Sequence, residues 1–281
     1  MNLTKDSLFA TVIDHSVSKE AFELYYNSEF DMLITSPTPE FIEKYYESDN
    51  YISHTDGNRS LFEQCYNFVK RFTLNDKVSL ISRYSSATRR ILDIGAGTGD
   101  FLLTAKSKGW QVTGSEPSNK ARAIAKSKKL TLSESTLELP ANSFDVITMW
   151  HVLEHVSDLN GQLAELKRLL STSGTIVIAV PNFKSFDATH YKEFWAAFDV
   201  PRHLWHFSKN SISRLFQMHG FELIKVLPMK FDAFYVSLLS EKYRTGKMNP
   251  VAAFVIGLKS NLSARKDGNF SSHIYILKNL K

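Results

Sequence analysis

From Arg90 onward, short apolar runs rich in β-branched residues alternate with stretches whose apolar positions recur every three or four residues. The runs Ile91–Ile94, Val112–Ser115, Asp145–Met149 and Thr175–Val180 predict strands, and Asp100–Lys108, Ser118–Lys128, Leu159–Leu170 and Ser211–His219 predict helices. Such alternation implies a parallel sheet with helices on both faces. Helix punctuation agrees: Gly109 follows Lys108, Ser208 precedes the helix near Ser211, and Gly220 follows His219. Phe221–Leu227 and His273–Leu277 predict two last strands, separated by an amphipathic insert from Phe231 to Ala264.

Upstream the pattern is irregular. Short alternating pieces at Thr11–Ile13, Phe22–Tyr26 and Met32–Ile34, followed by Ser36-Pro37-Thr38-Pro39, predict a small hairpin-like segment. Between Arg59 and Tyr84, Leu61, Phe62, Cys65, Phe68, Val69, Phe72, Val78, Leu80 and Ile81 fall mostly at helical spacing. The chain therefore divides into an N-terminal segment (1–58), a helical cover (59–85) and an α/β domain (86–281), without internal repeats.

Composition changes little in this picture. A chain of 281 residues, 43% hydrophobic and 22% charged, supports a core without disulfides or metal staples. Cys65 is the single cysteine, which excludes intramolecular disulfides and multi-thiolate zinc sites and fits a reducing, cytoplasmic setting. No run approaches the roughly 18 apolar residues of a membrane span. A net charge of +5 is too weak to imply nucleic acid, which is not an expected partner.

The most informative stretch is Ile91-Leu92-Asp93-Ile94-Gly95-Ala96-Gly97-Thr98-Gly99-Asp100, a buried strand entering a glycine turn and then a helix. Bare backbone there lets a flat ligand lie against the turn. The Gly-x-Gly-x-Gly spacing departs from the Gly-x-Gly-x-x-Gly of pyrophosphate sites. Asp93 would repel a phosphate but could accept hydrogen bonds from an ammonium group. Glu116, at the end of the second strand, can accept from both ribose hydroxyls. A cationic nucleoside ligand fits these two acids better than a nicotinamide dinucleotide.

At these residues the chain resembles the class I S-adenosylmethionine-dependent methyltransferases. Asp93 to Gly99 is similar to their first motif, Glu116 to their ribose-binding acid, and Ser143 to Val156 to their fourth strand and following loop. The resemblance implies a doubly wound, seven-stranded, mostly parallel sheet of order 3-2-1-4-5-7-6, its last strand antiparallel, with a small N-terminal α/β extension. It implies cofactor contacts from Asp93, Gly95, Ala96, Gly97, Gly99, Glu116, Pro117, Thr136, Leu137, Trp150 and His151. Thr136 and Leu137 would flank the adenine, and Trp150 and His151 would face the methionine end. S-adenosylhomocysteine would be the product.

Asp14-His15-Ser16-Val17-Ser18, Lys44 to Ser48 and Val200 to Ser208 are also similar to a bacterial subgroup whose domain follows a zinc-ribbon-like segment. The subgroup's paired cysteines are missing, with Tyr26, Asn27, Ser28 and Glu29 in their region, so the ribbon is degenerate and cannot hold a cysteine-ligated zinc.

The sulfonium already activates the methyl group, so the protein's part is position and charge. If the acceptor is a hydroxyl, the expected case for a small-molecule acceptor, a histidine base helps by about 10²–10⁴-fold. Five of nine histidines, His151, His155, His190, His203 and His206, fall between the fourth strand and Phe207. His151, His203 and His206 are the candidate catalytic residues, and His155 is expected to pack. His151 and His155 share a helical spacing without forming His-Glu-x-x-His, so no metal is expected. The segment Asp187–Ser208, with Tyr191, Trp195, Arg202 and Trp205, is expected to wall the acceptor pocket, and Tyr46, Tyr51 and His54 to form a lid. The alternatives are an RNA or protein methyltransferase, a cofactor-binding module without turnover, and a nicotinamide oxidoreductase. The last is disfavoured by the glycine spacing.

Overall fold

The computed structural model describes residues 3–46, 73–85 and 88–280. Tyr51, His54, Cys65 and most of the 59–85 cover lie outside the described residues. Among the described residues, ten strands form two sheets. The larger contains β4 (Arg90–Ile94), β5 (Gln111–Ser115), β6 (Phe144–Trp150), β7 (Leu170–Pro181), β9 (Phe221–Pro228) and β10 (Ser272–Asn279) in the order β5-β4-β6-β7-β10-β9. β4 pairs in parallel with β5 and β6, and β6 with β7, while β10 runs antiparallel to both neighbours.

The expected seventh strand is absent among the described residues. Its place beyond β5 holds one parallel bridge, Ser115 to Ser133, secured by hydrogen bonds from Glu116 N to Ser133 O and from Ser133 N to Gly114 O. Only Leu130 and Leu132 of this piece are buried, too little apolar surface to hold a full strand at the edge.

Alternation along the strands assigns the faces. Leu92, Ile147, Ile176 and Ile178 point to one face, covered by α4 (Leu159–Leu169) and α6 (Lys209–Met218). Ile91, Val146, Val177 and Ile276 point to the other, covered by α2 (Asp100–Ser107) and by α1, described over residues 73–82. α3 (Asn119–Ser127) joins them through Ala125. Ser208 and Ser211 make a reciprocal capping box, so α6 begins two residues before the expected start. The amphipathic insert resolves into the helices α7 (Asp232–Thr245) and α8 (Pro250–Asp267), packed on each other and on the short α5 (Phe186–Tyr191).

The N-terminal segment is an antiparallel meander of β1 (Ser7–Ile13), β2 (Ala21–Asn27) and β3 (Met32–Ser36), with one 3-10 turn at Ile42–Tyr45. A fourth strand, β8 (Trp205–His206), comes from far along the chain and pairs with Leu33 and Ile34. Two buried carboxylates tie this sheet down. Asp14 accepts from the N–H groups of Ser16, Val17 and Ser18 and from Arg202 at 2.9 Å, and its carboxyl stays far below the usual range. Asp31 accepts from Tyr26, Lys184, Ser208 and Asn210. Carboxylate hubs thus crosslink the meander without metal-binding cysteines.

Candidate functional site

The chain leaves β4 toward β5 on one side and returns to β6 on the other, so the carboxyl end of β4 is the topological switch point where open α/β sheets bind ligands. The glycine turn sits there. Gly95 and Ala96 donate their N–H groups to Ser115 O at 2.8 and 2.9 Å, which folds the turn over the end of β5. Gly95 and Gly97 both have positive φ, +69° and +55°. A Cβ on Gly95 would lie 2.5 Å from Val152 Cγ2, whereas a Cβ on Gly97 would meet nothing within 4 Å. Gly95 is therefore required by packing, and Gly97 faces open space. Gly99, also left-handed, starts α2.

Glu116 lies at the rim with both oxygens oriented: Oε2 accepts from Gly97 N and Oε1 from Ser118 N, each at 2.9 Å. Each oxygen keeps lone-pair capacity for an incoming hydroxyl. Pro117 beside it is exposed, and its carbonyl accepts from Arg122. Asp93 is buried beneath the turn, where Thr148 Oγ1 donates to Oδ1 at 2.6 Å. Burial pushes its carboxyl up to about 7 despite that bond and the nearby Lys77 ammonium. Thr136 bonds Glu165, and Leu137 is 79% exposed, an apolar side chain at the edge of the site.

Trp150 ends β6 with its ring edge-on to Phe101 and with Lys77 Nζ 4.2 Å above its face. Its buried indole N–H has no partner among the described residues. His151 follows with φ +57°, a strained conformation for a non-glycine residue and one frequent at functional sites. Its Nδ1 lies 3.3 Å from Glu154 Oε1 and its Nε2 3.1 Å from Asp232 Oδ2. Against the cost of burial, hydrogen bonds to Asp232 and Glu154 push the imidazole up to about 10. At neutral pH it is an imidazolium whose donors are both engaged.

His203 and His206 sit deeper. His203 Nδ1 donates to Ala197 O at 2.8 Å, and its ring meets that of His155 edge-on at 4.5 Å. His206 lies on β8, where its Nε2 is 3.0 Å from Thr35 Oγ1 and burial keeps it neutral. The structure thus brings Asp93, the glycines, Glu116, Trp150 and His151 to the carboxyl ends of β4, β5 and β6, with His203 beside Glu154 and His206 set behind in the N-terminal sheet. The expectation of a pocket wall between Asp187 and Ser208 is corrected: Tyr191 and Trp195 are core residues, bonded to Glu241 and Asp187 and packed under β1 to β3. Arg202, 1% exposed, bridges Asp14 and Asp199. Of the lid candidates only Tyr46 is described, and its hydroxyl lies 3.0 Å from His155 Nδ1. Lys77 and Asp232 are neighbours of Trp150 and His151 that spacing could not reveal, because each arrives from a distant helix.

Residues 66–226, more than half of the chain, match the family described as Methyltransferase domain. A demethylmenaquinone methyltransferase of Tropheryma whipplei is 32% identical over 120 residues, covering 40% of this chain and 47% of that protein. A ubiquinone biosynthesis O-methyltransferase of Vibrio cholerae is 33% identical over 104 residues, covering 34% and 42%. The chain thus spans about half the length of these curated relatives. The structure of a magnesium protoporphyrin IX methyltransferase from Synechocystis with bound S-adenosylhomocysteine superposes with a TM-score of 0.55 at 15% identity, covering 84% of this chain and 97% of that one. That likeness establishes the shared fold. No helix among the described residues is long and apolar enough to cross a membrane. The match over residues 66–226 and the fold it specifies place this chain in the methyltransferase-domain family.

Proposed function

We propose that this protein is an S-adenosylmethionine-dependent methyltransferase acting on a small-molecule acceptor through an oxygen nucleophile. The observation that carries the reading is the pairing of Gly97, open where a side chain would stand, with Glu116, whose carboxylate is pinned at the same turn by the Gly97 and Ser118 N–H groups. In this reading Gly95, Ala96, Gly97 and Gly99 line the adenosyl group, Glu116 and Pro117 meet the ribose, and Thr136 and Leu137 flank the adenine. Asp93 accepts from the amino group of the methionine end, and Trp150 and His151 border the sulfonium. The cofactor supplies an activated methyl that passes to the acceptor oxygen as the carbon–sulfur bond breaks, leaving S-adenosylhomocysteine while the acceptor's proton goes to water.

His151 already holds a proton at neutral pH and both of its N–H groups are engaged by Glu154 and Asp232, so it positions the loop rather than abstracts a proton. His203 and His206 support the wall behind it. Alignment alone can be worth about 7–11 kcal/mol, enough to carry the rate without a histidine base. An acceptor of the quinone class is the first to test, since demethylmenaquinone and ubiquinone-biosynthesis methyltransferases are among the relatives. The single cysteine fits a cytoplasmic setting. The test is incubation with methyl-labelled S-adenosylmethionine and a panel of phenols and reduced quinones, then with cell extract fractionated by class. Label is expected in a small organic molecule. Label confined to RNA or protein, or cofactor binding with no transfer into any fraction, would overturn the reading.

A further inference from the structure

Behind His151 the loop after β6 and the segment before β8 bring three donor groups together. One ligand atom each of Glu154, His155 and His203 lies within 4.8 Å of the other two. Glu154 is 1% exposed, and its Oε1 faces His151 while Oε2 is buried with no hydrogen-bond partner among the described residues. A buried carboxylate oxygen without a donor is costly and rare, and an ion at the site is one of the few things that resolves it. Both histidines place Nδ1 against a backbone carbonyl, His155 at 3.0 Å from Arg202 O, with the Tyr46 hydroxyl also 3.0 Å from that nitrogen, and His203 at 2.8 Å from Ala197 O. That arrangement puts the proton on Nδ1 and leaves the Nε2 lone pair of each ring for a ligand, the tautomer and outer contact that metal-bound histidines use.

Charge points the same way. Around the cluster, Asp14 and Asp199 pair with Arg202, and Glu154 and Asp232 with His151, with Lys77 also near Asp232, so four carboxylates meet three cationic groups. Asp199 Oδ2 also stands 4.0 Å from His203 Nε2, which adds negative charge on the ligand side of that ring. We propose that Glu154, His155 and His203 form a binding site for one divalent transition-metal ion. Two imidazoles and one carboxylate match a zinc site with an open fourth position, and imidazole donors favour zinc, cobalt or nickel over magnesium. Donors about 2.0–2.2 Å from an ion stand roughly 3.4 Å apart when tetrahedral, so the three groups need close by little more than an ångström. The spacing of His151 and His155 did not foreshadow this site, because its third ligand lies 48 residues beyond His155 in sequence and arrives by the fold.

The test is a titration of the chelator-treated protein with Co²⁺, read by visible absorption, followed by displacement with Zn²⁺ and metal analysis after dialysis. One ion per chain is expected, with the intense visible bands of a low-symmetry, four- or five-coordinate Co²⁺. Glu154→Gln and His203→Ala should each weaken binding by more than ~100-fold while near-ultraviolet circular dichroism and an unchanged thermal midpoint of the metal-free protein report an intact fold. Should either variant fail to fold, imidazole ¹⁵N spectra of the wild-type protein decide: Zn²⁺ must shift Nε2 of His155 and His203. No stoichiometric ion, affinity unchanged in folded variants, or unshifted ring nitrogens would overturn the proposal. Cofactor binding measured in the same samples distinguishes failure of the metal site from failure of the methyltransferase function.

Discussion

Gly95 and Gly97 stand two positions apart in one turn and answer to different demands. An alanine at Gly97 costs about 1–2 kcal/mol of backbone strain but collides with no neighbour, so Gly97→Ala should fold with a slightly lower thermal midpoint and lose most of its cofactor affinity. Gly95→Ala adds a clash with Val152 and should cost clearly more stability. Comparing midpoints and calorimetric affinities of the two variants checks both statements. Asp93 makes a second prediction at this scale. Its buried carboxyl ionises near 7, and a cationic ligand favours the ionised form, so affinity for S-adenosylmethionine should rise roughly 10-fold between pH 6 and pH 8. Asp93→Asn should flatten that dependence in calorimetry run across the same range, and a slope that survives the substitution would remove Asp93 from the site. The glycine turn and the two acids were legible in the sequence because their meaning is local, set by spacing after a strand. The state of His151 was not, since Asp232 reaches it from a helix some eighty residues away.

At the scale of elements, the large sheet was readable from periodicity, except at the edge where too few apolar residues remain for a strand beyond β5. The small sheet was not, because its fourth strand, β8, is two residues long and pairs with β3 across most of the chain. Arg202 is the matching long-range contact: its guanidinium spans Asp14 under β1 and Asp199 before β8. Arg202→Met would strand both carboxylates in the interior and should cost about 3–5 kcal/mol. The loss should be largest in the N-terminal sheet, where hydrogen exchange of residues 7–36 should accelerate ahead of the large sheet. Adding Asp14→Asn should restore part of the loss. Uniform acceleration across both sheets would instead mean that the meander is no separate cooperative unit.

For the whole molecule, buried histidines set the response to acid. Burial holds His155 and His273 neutral down to about 4, against 6.5 in the unfolded chain, so the native state binds fewer protons in that window and loses stability as pH falls through it. His206 adds in the same direction, while Asp93, protonated up to about 7, offsets one of the three. His151 acts on the other side: its contribution is complete below 6.5 and is lost as pH rises toward 10. Stability should therefore peak near neutrality, with a thermal midpoint roughly 5 °C lower at pH 5 than at pH 7. A scanning-calorimetry series that rises steadily toward acid would contradict this balance.

Calorimetry of S-adenosylmethionine with the wild-type chain and with Glu116→Ala tests the central claim most directly. One cofactor per chain should bind, and loss of the carboxylate that receives the ribose hydroxyls should weaken it roughly 10–100-fold. Equal affinity in the two proteins would remove Glu116 from the site, and binding of a nicotinamide dinucleotide in place of S-adenosylmethionine would overturn the account.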